Sequence, residues 1–336
     1  MALDGKDAEL LYTLQTGLPL ERRPFARVGA GLGLSEQEVL DRLRAFFERG
    51  QARRLGGVFD PAGLGYRSTL CAAALGEDEL PRIVPLLTPH PGMTHCYLRK
   101  RLDALGPAAP QVPNLWFTLT VPAGALDAEV EKTRRLVAPR ELLDLPARRR
   151  FKVQVIFDPR EERATGAAAP QREAAQPEGS PTPLAEWQKA VVRALQGNLP
   201  LVEEPFAPVA EAAGCGPDEL LGLLREWHRA GVLRRVALLV RHRRIGFTGN
   251  AIAAWAVPAE RVEPVGLMLA ARRPVTHCYE RRPHAAFPPN LYAMLHARGD
   301  ERVREMFREL SAEAGLSQGV LLRSVREYKK TSLRYF

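Results

Sequence analysis

The chain has 336 residues, 46% of them hydrophobic, which allows two or three domains with buried cores. No apolar run approaches the roughly 20 residues of a membrane span, and four cysteines without CxxC or zinc-ligand spacing argue against a disulfide framework or a structural metal. A formal net charge of +9 calls for an anionic partner, whether nucleic acid, a membrane surface or a polycarboxylate ligand.

From the start, "MALDGKDAELLYTL" lacks the basic and apolar regions of a secretory signal, so a cytoplasmic protein is expected. Three short helical segments follow, the clearest at 35–50. Ser35 is a good N-cap with Glu38 three residues on, Val39, Leu43 and Phe46 or Phe47 form an apolar stripe, and Gly50 ends the helix. This outlines a helix-turn-helix domain over 1–51. The next stretch, 52–158, reads as a strand (53–59), a Pro/Gly turn, a second strand (66–75) and a helix from about Glu79. A strand through "THCYLRKR", another through "NLWFTL", a helix (126–137) and a last strand, "FKVQVIF" (151–157), complete it. Residues 159–182, rich in Ala, Pro, Gly, Glu and Arg, read as a solvated linker. The order then repeats at an offset of about 181, with "LQTGLPLERRPFARV" from Leu14 matching "LQGNLPLVEEPFAPV" from Leu195. A second helix-turn-helix is expected over 183–232 and a second sheet domain over 233–336. The fold class is therefore α+β, a tandem duplication of a helix-turn-helix plus a ferredoxin-like βαββαβ domain, with the sheet domains packed as an intramolecular pseudo-dimer.

The most unusual repeat is Thr-His-Cys-Tyr, basic residues, then Pro-Asn-Leu-aromatic, at 94–116 and 276–292. In a strand, period-two alternation puts His95, Tyr97, Arg99 and Arg101 on one face and Cys96 on the other. His277, Tyr279 and Arg281 do the same in the second copy. An imidazole, a phenol and guanidinium groups in line suit an anionic planar ligand. Asn114 and Asn290 share faces with the aromatics that follow them, and His296 is in phase with Asn290. His242 sits in the basic turn "RHRRIGF", while His90, His228 and His284 read as surface residues.

A DNA-binding reading has to place the second helix of each motif on base edges. Its first turns carry Glu36, Glu38 and Asp41 in one copy and Asp218 and Glu219 in the other, which repel phosphate. Basic residues cluster in the sheet domains instead, at Arg53, Arg54, Arg99, Lys100 and Arg101, and at Arg234, Arg235, Arg241, Arg243, Arg244, Arg281 and Arg282.

The overall outline resembles the Lrp/AsnC transcription regulators, which makes a ligand-responsive DNA-binding regulator the alternative reading. "RRLGGVFDPAGLGYRSTL", "NLWFTL", "LRRVALLVRHRRIGFTGNA", "THCYERRPHAAFPPNLYAMLH" and "EYKKTSLRYF" resemble more closely the siroheme decarboxylases, Lrp/AsnC-like proteins found as two related subunits or as their fusion. The resemblance spans both halves apart from the linker; one departure is a longer stretch between His95 and Asn114. It implies removal of the C12 and C18 acetate carboxyls of siroheme, on the route to heme d1 or heme b, with no added organic cofactor. His95 or His277, assisted by Tyr97 or Tyr279, would transfer protons, or either His would ligate the siroheme iron. Arg53, Arg54, Arg99, Arg101, Asn114, Arg234, Arg235, Arg241, His242, Arg243, Arg281 and Asn290 would bind the substrate. The expected partners are siroheme and, beyond the intramolecular pseudo-dimer of the two halves, further copies of the chain or other heme-pathway proteins, with no nucleic acid and no membrane. Arg241, His242 and Arg243 stand where the first half has Asp60, Pro61 and Ala62. Together with His277, Tyr279 and Arg281 they make the second half the expected stronger binder.

Overall fold

A computed structural model describes residues 3–106, 112–160 and 183–336; of the expected linker, 161–182 lie outside the described residues. The first half runs α1 (Gly5–Thr16), α2 (Pro24–Leu32), α3 (Glu36–Glu48), β1 (Ala52–Phe59), β2 (Tyr66–Ala73), α4 (Leu80–Leu87), β3 (Met93–Leu105), β4 (Leu115–Pro122), α5 (Leu126–Val137) and β5 (Leu142–Val153). The second runs α6 (Glu186–Leu195), α7 (Ala207–Ala213), α8 (Pro217–Arg229), β6 (Leu233–Val240), β7 (Gly249–Trp255), α9 (Val262–Ala270), β8 (Val275–Arg281), β9 (Leu291–Ala297), α10 (Asp300–Glu313) and β10 (Gly319–Lys330). Ser35 caps α3 as its sequence dictates: its side chain accepts from Glu38 N, and the Glu38 carboxylate accepts from Ser35 N.

The two βαββαβ units each contribute four strands, and these close into one barrel of order β10-β3-β4-β2-β5-β8-β9-β7. The halves join edge to edge at β3–β10 and at β5–β8, which closes the two four-stranded sheets on each other. One face of the first sheet packs Cys71, Cys96 and Phe117 against Ile83 and Leu87 of α4 and Val130 of α5. The second packs Cys278 and Trp255 against α9 and α10 through Leu269 and Phe307. The opposite faces meet inside the barrel, where Leu70, Trp116 and Leu145 of the first half join Ile252, Tyr292 and Leu322 of the second.

Two strand expectations are corrected. β1, read as the first strand of the sheet domain, leaves that domain and pairs with β6 in a separate antiparallel ribbon. β5 begins at Leu142 rather than 151, and 154–157 continue past its end. Pro146 and the run Arg148, Arg149, Arg150 hide it from local pattern, because the strand changes partners there. Up to Pro146 it pairs with β2, and from Ala147 it pairs with β8 of the other half. The long stretch after His95 extends β3 to Leu105, which pairs with Gly319 of β10; 107–111 lie outside the described residues.

The ribbon is sandwiched between the helical units, and each unit docks on the other half's strand: Leu18 N donates to Val236 O (2.7 Å) and Leu199 N to Leu55 O (2.8 Å). Phe25 and Phe46 share one core with Phe206 and Trp227 across the halves. The acidic starts of α3 and α8 are taken up within this assembly. Arg22 pairs with Asp218 (2.7 Å), and Arg23 pairs with Glu36 and with Glu203 (3.0 Å). Among the described residues no helix is long and apolar enough to cross a membrane.

Candidate active site

Period-two alternation on β3 and β8 sends Cys96 and Cys278 to the helix-covered faces, so His95, Tyr97, His277 and Tyr279 point into the barrel. The two strands repeat one geometry. Thr94 Oγ1 lies 2.9 Å from His95 Nδ1, and Thr276 Oγ1 lies 3.1 Å from His277 Nδ1. This contact occupies Nδ1 and leaves Nε2 for chemistry. Each histidine ring stands 6.2 Å from its tyrosine. Arg99 covers Tyr97 at 5.2 Å, and Arg281 covers Tyr279 at 4.8 Å.

Burial governs the chemistry of these groups. Desolvation, helped by Lys330, Arg53 and Arg99, lowers His95 to about 4. Desolvation with Arg234, His95, Arg281 and Arg235 lowers His277 to about 3. Both rings are therefore neutral near pH 7. The Tyr97 and Tyr279 phenols are pushed up, chiefly by burial, and stay protonated.

The histidines' surroundings differ sharply. Across the strand pair His95 faces Lys330 and Tyr97 faces Glu327, whereas His277 faces Val153 and Tyr279 faces Arg150. Arg53, Arg241 and Arg243 act on the first site: Arg53 on His95 and Tyr97, Arg243 on Tyr97, and both Arg241 and Arg243 on Lys330. The first recess thus gathers Arg53, Arg99, Arg241, Arg243 and Lys330 against Glu327. In the second, Asp60 is buried and ion-paired to both Arg234 and Arg150, each at 2.8 Å. Arg234, Arg150 and the Ala62 N–H hold its carboxyl below the usual range despite the opposing effect of burial.

This moves Arg241 and Arg243 of the second-half turn away from His277, whereas His242 stays beside it: its ring is 5.4 Å from that of His296, which shares Thr276 Oγ1 with His277. The 3-10 turn His242–Ile245 follows β6, which the ribbon carries across to the first half; Arg241 donates to Gly50 O (3.3 Å) and Ala52 O (3.2 Å). Arg241 and Arg243 are exposed at the rim, while His242 is buried and stacks on Phe157 (5.4 Å). Desolvation, then Lys330 and Arg243, lowers His242 to about 4. Gly65 (φ 80°) and Gly246 (φ 98°) close the two equivalent turns in a conformation that side chains resist.

Other expected ligand-binding residues are engaged elsewhere. Asn114 brackets Leu75, accepting from its N–H (2.9 Å) and donating to its carbonyl (2.8 Å), and Asn290 does the same to Val257 at 2.9 and 2.8 Å. They are paired backbone clamps. Arg101 is exposed, whereas Arg99 on the same strand is buried. Arg54 donates to Gln196 O and to Gly57 O (3.0 Å), and Arg235 donates to Val155 O (3.4 Å). Arg281 reaches Leu145 O (2.6 Å). Lys330, Glu327 and Arg150 escape sequence reasoning because only the cross-half register brings them in. His296 joins the interior, 3.2 Å from Thr276 Oγ1 through Nδ1 and 3.0 Å from Asn250 Nδ2 through Nε2.

No group of three or more His, Cys, Asp or Glu side chains suited to a metal occurs among the described residues. Besides Gln51 Oε1, the buried side-chain atoms without a hydrogen-bond partner among the described residues are nitrogens, including His242 Nε2, Arg99 Nε and Arg281 Nε in the interior. Buried polar atoms are ordinarily satisfied, so this set fits an acceptor-rich ligand.

Comparison with known proteins identifies two family models, each matching twice. The siroheme decarboxylase NirDL-like helix-turn-helix domain matches residues 7–53 and 188–234, and the AsnC-like ligand binding domain matches 63–152 and 244–329. A siroheme decarboxylase of Hydrogenobacter thermophilus is 34% identical over 98% of this chain and 94% of its own. The alpha subunit of siroheme decarboxylase from Desulfovibrio desulfuricans is 41% identical over 46% of this chain and 84% of its own. The crystal structure of the siroheme decarboxylase NirDL superposes with a TM-score of 0.73 at 29% identity, covering 99% of this chain and 94% of that one. A second crystal structure of that enzyme, in complex with an iron-uroporphyrin III analogue, gives 0.72 at 29% identity over 98% and 94%. With both domain types matched in both halves and a relative aligned along nearly its whole length, the chain belongs to the siroheme decarboxylase family.

Proposed function

We infer that this chain is a carboxy-lyase that removes the C12 and C18 acetate carboxyls of siroheme, giving 12,18-didecarboxysiroheme for heme d1 or heme b synthesis. The observation that carries the reading is the cationic surround of the half-buried His95–Tyr97 pair: Lys330 faces His95 across β3–β10, Arg99 covers Tyr97, and Arg241 donates to the carbonyls of Gly50 and Ala52 beside Arg53. Siroheme carries eight carboxylates, and clustered guanidinium and ammonium groups in a recess bind such an anion through charge-assisted hydrogen bonds.

An acetate on a pyrrole loses CO2 when the ring accepts the electron pair of the breaking C–C bond. A proton delivered to the ring makes it that acceptor. After CO2 leaves, the exocyclic methylene takes a proton and the ring gives one up, so each decarboxylation consumes one proton overall. His95 suits this exchange: Thr94 Oγ1 meets Nδ1, which leaves Nε2 for the substrate. The ring is neutral in the cationic, desolvated recess, and a bound polyanion raises its proton affinity, so substrate binding helps recruit the proton the reaction needs. Tyr97, kept protonated by burial, is a second donor. His277 and Tyr279 repeat the geometry and are the equivalent pair. Either histidine has an Nε2 suited to ligate the siroheme iron. The reaction as drawn needs no added organic cofactor. A nucleic-acid partner is disfavoured by Asp218 and Glu36 at the starts of α8 and α3, engaged by Arg22 and Arg23.

Anaerobic incubation of the purified chain with siroheme, followed by mass analysis of the pigment, tests the reading. Loss of two CO2 units is expected. A tightly bound but unchanged pigment would refute it.

A further inference from the structure

Asn250, His296 and Thr276 stand in one line of hydrogen bonds between β10 and His277, and the decarboxylation as drawn uses none of them. Resting on the decarboxylase reading, we propose that this line fixes the His277 ring with its hydrogen on Nε2, which makes His277 a hydrogen-bond donor to a carboxylate of the tetrapyrrole. A ring held this way has no lone pair at Nε2 with which to ligate iron or take up a proton. Those tasks fall to His95.

Each link in the line has a direction. Ser324 Oγ donates to Asn250 Oδ1 at 3.3 Å, which turns the amide nitrogen towards β9. Asn250 Nδ2 then lies 3.0 Å from His296 Nε2. An amide NH2 only donates, so His296 Nε2 accepts. Burial, reinforced by His242 for His296 and by Arg234 for His277, holds both imidazoles well below the ordinary histidine range, so near pH 7 each ring carries one hydrogen. In His296 that hydrogen is on Nδ1, 3.2 Å from Thr276 Oγ1. Thr276 is 2% exposed, and among the described residues its hydroxyl meets His296 and His277 alone. It accepts from His296, so its own hydrogen is satisfied only by His277 Nδ1, at 3.1 Å. His277 Nδ1 is thereby an acceptor, and the single ring hydrogen stands on Nε2.

The first half lacks this device. Counting from Leu115 and Leu291, which open β4 and β9, Thr120 stands where the second half has His296. Its cross-strand neighbour on β2 is Ser68, where β7 has Asn250. Ser68 and Thr120 bond to each other, and the second partner of Thr94 Oγ1 is the Thr118 hydroxyl, at 3.1 Å. A hydroxyl donates or accepts, so this contact does not dictate which nitrogen of His95 bears the hydrogen. His95 keeps both tautomers, as a group that exchanges protons or binds iron through Nε2 must. The two histidines inherit one strand geometry and differ in what stands behind them. Asn250, His296 and Thr276 are positioning residues that act through His277.

Nitrogen NMR of the full ligand-free chain near pH 7, its histidines isotopically labelled, reads each tautomer directly, with His277→Gln and His296→Gln supplying the assignments. His277 should bear hydrogen on Nε2 and His296 on Nδ1. Thr276→Val, which keeps the shape and removes the hydroxyl, should release the His277 ring to interchange its tautomers. Titration of the same chains with iron uroporphyrin III, followed by absorbance, separates the tasks. His277→Gln, whose amide still donates, should bind within about threefold of wild type, whereas His277→Leu should bind roughly tenfold or more weakly, as loss of a hydrogen bond to a charged group does. Neither should alter the axial-ligand absorbance of the bound iron. His277 with hydrogen on Nδ1, or His296 with hydrogen on Nε2, overturns the proposal. So does loss of an axial nitrogen ligand in His277→Gln, or equal weakening by Gln and Leu. If His277→Leu fails to show a cooperative thermal transition, the wild-type tautomers and the Gln variant still decide. The assigned tautomers without any turnover of siroheme would sink the decarboxylase reading and leave the fixed ring standing, whereas normal turnover with the opposite tautomers would sink this proposal alone.

Discussion

The His95 and His277 strands share a geometry to within a few tenths of an ångström in their Thr–His contacts, yet Lys330 faces His95 where Val153 faces His277, and near Tyr279 the buried Asp60 takes up Arg150 and Arg234. A geometry inherited by duplication therefore lies in two different charge environments. Those charges come from the opposite half, through the ribbon and the β3–β10 and β5–β8 seams, so each recess was free to diverge by changes in its neighbour.

The largest effect that would sharpen this contrast is catalytic. His95→Gln should lower single-turnover decarboxylation by roughly 10² to 10⁴, the usual contribution of a positioned acid–base group. His277→Gln should lower it much less. Equal losses, read by mass analysis of the pigment, would break the comparison. Next comes electrostatics: Lys330→Ala should weaken siroheme binding severalfold and flatten its dependence on salt, whereas Val153→Ala should leave that dependence unchanged. Binding isotherms at several ionic strengths measure both.

Asn114→Ala and Asn290→Ala should behave alike despite the divergence of the recesses, because both are backbone clamps. Each strands a buried N–H and C=O and should cost about 1–3 kcal/mol by denaturant unfolding, with siroheme affinity of the folded fraction unchanged. Loss of affinity without loss of stability would restore them as ligand-binding residues. Acid titration should also tell the recesses apart. His95 and His242 titrate near 4, and His277 near 3, against 6.5 in the unfolded chain. The unfolded chain therefore binds protons first. Stability should be independent of these rings above about pH 6.5 and should fall as pH drops towards 4 and then 3. Melting temperature followed against pH should flatten in that window for His95→Gln, and at its lower end for His277→Gln. The smallest change is expected at the helical units, where Arg22→Ala removes an exposed pair with Asp218 worth about 0–1 kcal/mol. A shift of several degrees in melting would show that this contact anchors the pseudo-dimer more firmly than its exposure implies.

Local sequence determined much of the molecule. Capping boxes, apolar stripes and period-two alternation are short-range signals, so α3, the inward faces of β3 and β8, and the twofold repetition were legible from residues a few positions apart. The Asn-Leu-aromatic motif was legible as special, but its meaning was not. A side-chain amide that brackets Leu75 or Val257 looks the same in sequence as one that binds a ligand. Pairing across the halves was beyond local pattern altogether. β5 reads as broken at Pro146 because its two ends serve different partners, and Lys330, Glu327 and Arg150 enter the sites only through cross-half register. The turn bearing Arg241 and Arg243 was assigned to His277 by proximity in sequence, whereas the β1–β6 ribbon delivers it to His95. Sequence by itself set which residue types each recess would have at hand, because alternation and capping act over single turns and strands. Only the tertiary structure decided which charges meet, because Coulomb interactions depend on distance in space, and the chain crosses between halves before its charges come together.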